Sequence, residues 1–146
     1  MPGFVDSIEQ KILNQFLQDP NTDFPGFATL WIALSTTTPT EAAGNFTEPS
    51  TGSYARVSTT GADWGAATGT APATKSNTAT KTFPTATADW SSGANMTYFG
   101  LFDASTAGNL VAYGALGTAK PVLNGDTASF AAAALVLKLG DPTDSY

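Results

Sequence analysis

Histidine and cysteine are both absent from this chain. The side chains that most often serve as general base and nucleophile near neutral pH are therefore missing, along with any disulfide or thiolate metal site. A serine nucleophile would have to use lysine as its base, and no spacing sets a lysine beside a particular serine. Charge is scarce as well. Asp, Glu, Lys and Arg make up 12% of the 146 residues, against roughly 25% in ordinary globular domains. Low exterior charge weakens electrostatic protection against association and suits a protein that lives packed against other subunits. The six basic residues, Lys11, Arg56, Lys75, Lys81, Lys120 and Lys138, are scattered, and the formal net charge is −6. Nucleic acid is excluded as a partner, because a phosphate-backbone binder needs clustered cations. No apolar run approaches the ~18 residues of a membrane span. The opening Met-Pro-Gly-Phe-Val-Asp carries no basic segment ahead of an apolar stretch, so neither membrane insertion nor export is expected.

What is present has a clear period. From Phe4 to Leu17 the residues Val5, Ile8, Ile12 and Phe16 recur at three- and four-residue spacing, with Leu13 and Leu17 widening the stripe. The spacing predicts an amphipathic helix, with Asp6 and Glu9 as a capping box and Asp19-Pro20 as its stop. So short a helix must bury its stripe on its own sheet or on another subunit. After a Pro/Asn/Asp/Gly-rich loop the pattern changes to strands. Thr29–Ser35 reads as a central strand, Tyr54–Thr60 as a half-buried one and Thr78–Phe83 as another. Met96 to Leu116 reads MTYFGLFDASTAGNLVAYGAL, two apolar runs around a short polar connection, the sequence form of an antiparallel hairpin. Lys120–Leu123 and Thr127–Leu139 flank Asn124-Gly125-Asp126, a tight-turn signature, and Ala131–Ala134 is read as strand. The polar loop 36–53 is longer than a connection needs, and 63–77 is low in complexity and expected to be mobile. The fold expected is mainly β, an antiparallel β-sandwich of jelly-roll-like or Ig-like type preceded by one helix. Residues 1–26 form an N-terminal arm and 27–146 the β domain.

The twelve carboxylates offer no acid–base pair by spacing. Asp63, Asp89, Asp103 and Asp126 fall in turns, where Asp usually accepts hydrogen bonds from the nearby backbone. The Asp103–Asn109 connection is the best local candidate for calcium, but it lacks alternating acidic ligands, and an Asx-held loop is the favoured reading. No catalytic residue, metal or cofactor is expected. Trp31, Phe83, Tyr98, Phe99, Phe102, Tyr113 and Phe130 lie in strand runs and read as packing. Trp64 and Trp90 stand in small-residue connections, where an indole could stack on a sugar, anchor a neighbouring subunit or fold back as a lid. The candidate partner-binding residues are thus Val5, Ile8, Ile12, Phe16, Trp64 and Trp90.

Taken in order, TLWIALSTTTP, EPSTGSYARV, KTFPTATADW, the Met96–Leu116 hairpin and AKPVLNGDTASFAAAALVLKL resemble a family of small virion proteins of tailed bacteriophages. Its most specific parts are GSYARV at 52–57, FPTA at 83–86, the hairpin and GDTASF at 125–130. The resemblance, which is similar to that of capsid cement proteins, implies a virion structural protein assembled in the host cytoplasm. It points first to a cement protein on the capsid surface. That role implies the major capsid protein as partner and, by analogy with decoration proteins, a homotrimer. A tail, baseplate or fibre-attachment adaptor is the first alternative. A carbohydrate-binding module using Trp64, Trp90 or Tyr54 is the second.

Overall fold

The computed structural model describes residues 3–17, 27–69 and 73–139. Along them run β1 (Gly3–Phe4), α1 (Asp6–Leu17), β2 (Thr29–Ser35), β3 (Val57–Thr60), β4 (Ala73–Ser76), β5 (Lys81–Thr82), β6 (Met96–Phe102), β7 (Leu110–Lys120), β8 (Ser129–Phe130) and β9 (Val136–Leu139). The chain is mainly β with one N-terminal helix, and every ladder is antiparallel. A five-stranded sheet in the order β1-β7-β6-β2-β3 is the scaffold, and β4-β9 and β5-β8 are separate two-stranded ladders.

The apolar run of β2 lies between β3 and β6, where both its faces are covered. Ile32 opposes Leu101 and Leu34 opposes Phe99. Because side chains alternate along a strand, Ile32, Leu34, Phe99, Leu101 and Ala112 share one face and join Phe83, Trp90, Val122 and Leu135 in the larger core. Facing the sheet, the stretches 83–90 and 122–128 run side by side. Phe83 N–H donates to Ala128 O, Ala86 N–H to Asp126 O and Trp90 N–H to Val122 O, at 2.8–2.9 Å. The opposite face of the sheet carries Ala33, Phe102, Leu110 and Val111, and these pack against Val5 and Ile8.

The described part of the expected arm therefore belongs to the scaffold. Gly3 and Phe4 pair with Tyr113 and Ala112 of β7, and Val5 N–H donates to Val111 O at 3.2 Å. That pairing also corrects the expected cap. Val5 stands at the helix start, its carbonyl accepting from the Ile8 and Glu9 N–H groups, and Asp6 and Glu9 lie inside the first turn. The expected stop at Asp19-Pro20 and the arm boundary at residue 26 lie outside the described residues.

Four further expectations are corrected. Tyr54–Arg56 precede the strand instead of forming it, and the Tyr54 and Arg56 side chains are held by Glu48 of the preceding loop. Of Thr78–Phe83 only Lys81–Thr82 pairs as strand. Ala73–Ser76, within the stretch expected to be mobile, is strand β4, paired with β9. Ala131–Ala134 is a corner, with Ala133 at φ 62°. Its cause is the buried Asn77, whose amide donates to Ala131 O and Ala79 O and accepts from Leu135 N–H, while Ala133 N–H donates to Asn77 O. The Asn-Gly turn forms, with Asp126 N–H donating to Leu123 O and Gly125 at φ 91°. Its flanks pair with 83–90 and not with each other, since Pro121 follows β7 directly and has no N–H to extend the ladder.

Candidate interaction surface

The chain's one arginine lies at the centre of a polar cluster. Arg56 sets its guanidinium 3.6 Å from the centroid of the Phe102 ring and donates through Nε and Nη2 to the two carboxylate oxygens of Glu48, at 2.9 and 2.8 Å. Nη1 donates to Ala104 O and Ala107 O, each at 2.8 Å. The bidentate fork suits arginine and not lysine. Tyr54 OH donates to Glu48 Oε1 and accepts from Leu34 N–H, both at 3.0 Å. Burial, reinforced by the Glu48 carboxylate, pushes the Tyr54 pKa well above its ordinary value and keeps the phenol protonated.

The cluster locks the β6–β7 connection onto the body of the protein. Asp103 closes the same loop, accepting from Asn109 N–H at 2.6 Å and from the Asn109 amide at 2.8 Å. Partial burial opposes ionisation of Asp103, but these hydrogen bonds outweigh it and hold its pKa below the usual carboxylate value. The long 36–53 loop is likewise folded back. Phe46 meets Phe102 edge-on at 5.1 Å, and Thr36 N–H donates to Thr47 O.

The other turn carboxylates behave alike. Asp63 accepts from Thr60 N–H, Asp89 from Asn124 N–H and Asp126 from Leu123 N–H, at 2.8–3.0 Å. Asp63 also pairs with Lys81 at 2.7 Å, and that contact, with the Thr60 hydrogen bond, lowers its pKa. Asp63, Asp103 and Asp126 thus hold their own turns, the geometry read from their sequence setting, while Asp89 ties its turn to Asn124, 35 residues on.

Among the five candidate contact residues whose side chains are described, Val5, Ile8 and Ile12 come together, while Trp64 and Trp90 lie apart from them. Val5 and Ile8 are buried against the sheet, Ile12 is half-buried beside them, and the Phe16 side chain lies outside the described residues. Trp90 is fully buried, its indole N–H donating to Gly52 O at 2.9 Å and its ring edge-on to Tyr54. Val5, Ile8 and Trp90 are engaged inside this chain. Trp64 is half-buried, donates to Thr59 Oγ1 at 2.8 Å and borders a 190 Å³ hollow with Leu30, Thr60, Lys75 and Leu137.

Sequence reasoning missed two features. One is the Arg56–Glu48 lock, whose signal was a lone arginine inside GSYARV among five lysines. The other is a bulge in β7. Tyr98 opposes Ala115 but Met96 opposes Lys120, so Leu116–Ala119 have no partner residue on β6 and leave the ladder. The bulge and the 121–130 stretch enclose an open groove of 480 Å³. Buried Leu34, Met96 and Val122 line it with half-buried Phe130, and exposed Lys120 and Asp126 stand on it. Leu123, beside the groove, is 43% accessible, the one large apolar side chain exposed among the described residues. The groove thus has apolar side chains along it together with one lysine and one aspartate.

The family model described as Podophage GP4 fiber I protein gp80 matches residues 3–138. No curated protein matches the chain.

Proposed function

The chain belongs to the podophage GP4 fiber I protein gp80 family, a family of phage virion structural proteins, and we propose that it serves as a structural subunit of the particle's fibre apparatus. It acts by contact with neighbouring subunits and not by turnover. The observation that carries this reading is the match over residues 3–138, which runs from β1 into β9 and so takes in the whole scaffold. The chemistry is in keeping with it. The turn aspartates are tied to backbone N–H groups, the Glu48 carboxylate is held by Arg56 and Tyr54, and the exposed surface is poor in charge.

Cement on the head, bound to the major capsid protein lattice, is the finer reading that the resemblance gave first. It shares the statement that the protein is part of the virion and differs in where the subunit mounts. The fibre named in the family description favours the tail side. Gold-labelled antibody against the purified protein, imaged on intact particles, tests this. Label on the fibres supports the proposal, and label spread over the head replaces it with the cement role.

A further inference from the structure

The patch made by the β7 bulge and the 121–130 stretch carries both halves of a contact. It has a groove lined by Leu34, Met96, Val122 and Phe130, and beside the groove an exposed apolar side chain, Leu123. It also has both signs of charge. Lys120 makes no ion pair among the described residues, and Asp126 is tied only through one oxygen, to the Leu123 N–H. A knob, a hole, a cation and an anion within a few residues are the elements that a two-fold interface between copies pairs with one another.

We propose that this patch is the interface with a second copy of this chain, with Leu123 of each copy entering the groove of the other and Lys120 of each facing Asp126 of the other. The surroundings favour close approach. Ala115, Gly117, Thr118 and Ala119 are exposed and small, and the bulge places Gly117 and Thr118 on the groove wall. Lys120 and Asp126 are the only charged residues that line the groove, so repulsion between like charges is avoided once they are exchanged. The pairing is independent of where the subunit mounts on the particle.

Sedimentation of the purified full chain tests the proposal. A concentration-dependent dimer is expected, and Leu123→Asp raises its dissociation constant at least about tenfold, as loss of a central apolar anchor does. At concentrations well below the dissociation constant, where both proteins are monomeric, the thermal melt should be unchanged, because Leu123 is exposed in the single chain. Because the chain has no cysteine, a second measurement is clean. Mixing the Thr118→Cys protein with the Leu123→Cys protein under mild oxidation yields a covalent dimer joining the two variants. A wild-type monomer at every accessible concentration, a trimer, a dimer that Leu123→Asp leaves intact, or no mixed disulfide overturns the proposal. Each of these outcomes leaves the labelling of particles unaffected, so the two readings fail separately.

Discussion

Arg56 and Asp103 fix one hairpin loop from opposite sides, and each makes a distinct prediction at the scale of the residue. Arg56→Met leaves the Glu48 carboxylate without its cation and the Ala104 and Ala107 carbonyls without a donor. Breaking a largely buried pair in this way costs about 3 kcal/mol. At roughly 2–4 °C per kcal/mol for a chain of this size, the melting temperature falls by about 6–12 °C. Arg56→Lys keeps the charge but loses the fork, and its melt should lie between the two. Differential scanning calorimetry decides it, and a wild-type melt for Arg56→Met would rule out the lock. Asp103 has its pKa lowered in the folded state. The unfolded chain therefore binds more protons at acid pH, so this stabilisation is present above the ordinary carboxylate pKa and disappears as pH falls through the folded value. Urea titrations of Asp103→Asn at successive pH values should show lower stability at pH 7 and a shallower loss on acidification. An acid limb as steep as wild type would contradict this. Asp63, Asp103 and Asp126 were legible in the sequence because their partners lie within a few residues, whereas Asp89 reaches Asn124, 35 residues away. Arg56 was not legible, since Ala104 is 48 residues away.

Elements were legible where the period was local and strong. β2 occupies Thr29–Ser35, the span its composition predicted, and the hairpin strands β6 and β7 enclose the connection 103–109. The helix was legible too, but not what it covers, since the stripe fitted its own sheet and a foreign subunit equally. The structure assigns Val5 and Ile8 to the sheet. Ile8→Ala should accordingly cost about 2–4 kcal/mol, the usual range for emptying a buried isoleucine site. Lys11→Ala, on the exposed side, should leave stability unchanged within about 0.5 kcal/mol. Urea denaturation compares the two, and equal midpoints would place the helix off the core. The corner at Ala131–Ala134 defeated local reasoning. Nothing near those alanines opposes regular structure; the cause is the Asn77 side chain, 54 residues distant from Ala131. Burial of Trp90 was one of three readings its sequence setting allowed, because polar neighbours in sequence hid a core position made by Phe83 and Tyr54.

The described residues form an antiparallel β scaffold whose loops are tied down by side-chain hydrogen bonds and which carries a groove bordered by an exposed leucine. Its fold class could be read from strand periods and turn residues. Its groove could not, because a bulge is a matter of register between two strands and leaves no mark in either one alone. A particle component should be present in purified virions in constant proportion, whereas an enzyme or assembly aid used in the infected cell would be left behind. Quantitative mass spectrometry of gradient-purified particles, with peptides from this chain counted against those of the major capsid protein, tests that most directly. The account predicts a fixed copy number per virion that survives high-salt washing. Recovery of the protein in the lysate with none in the particles would contradict it.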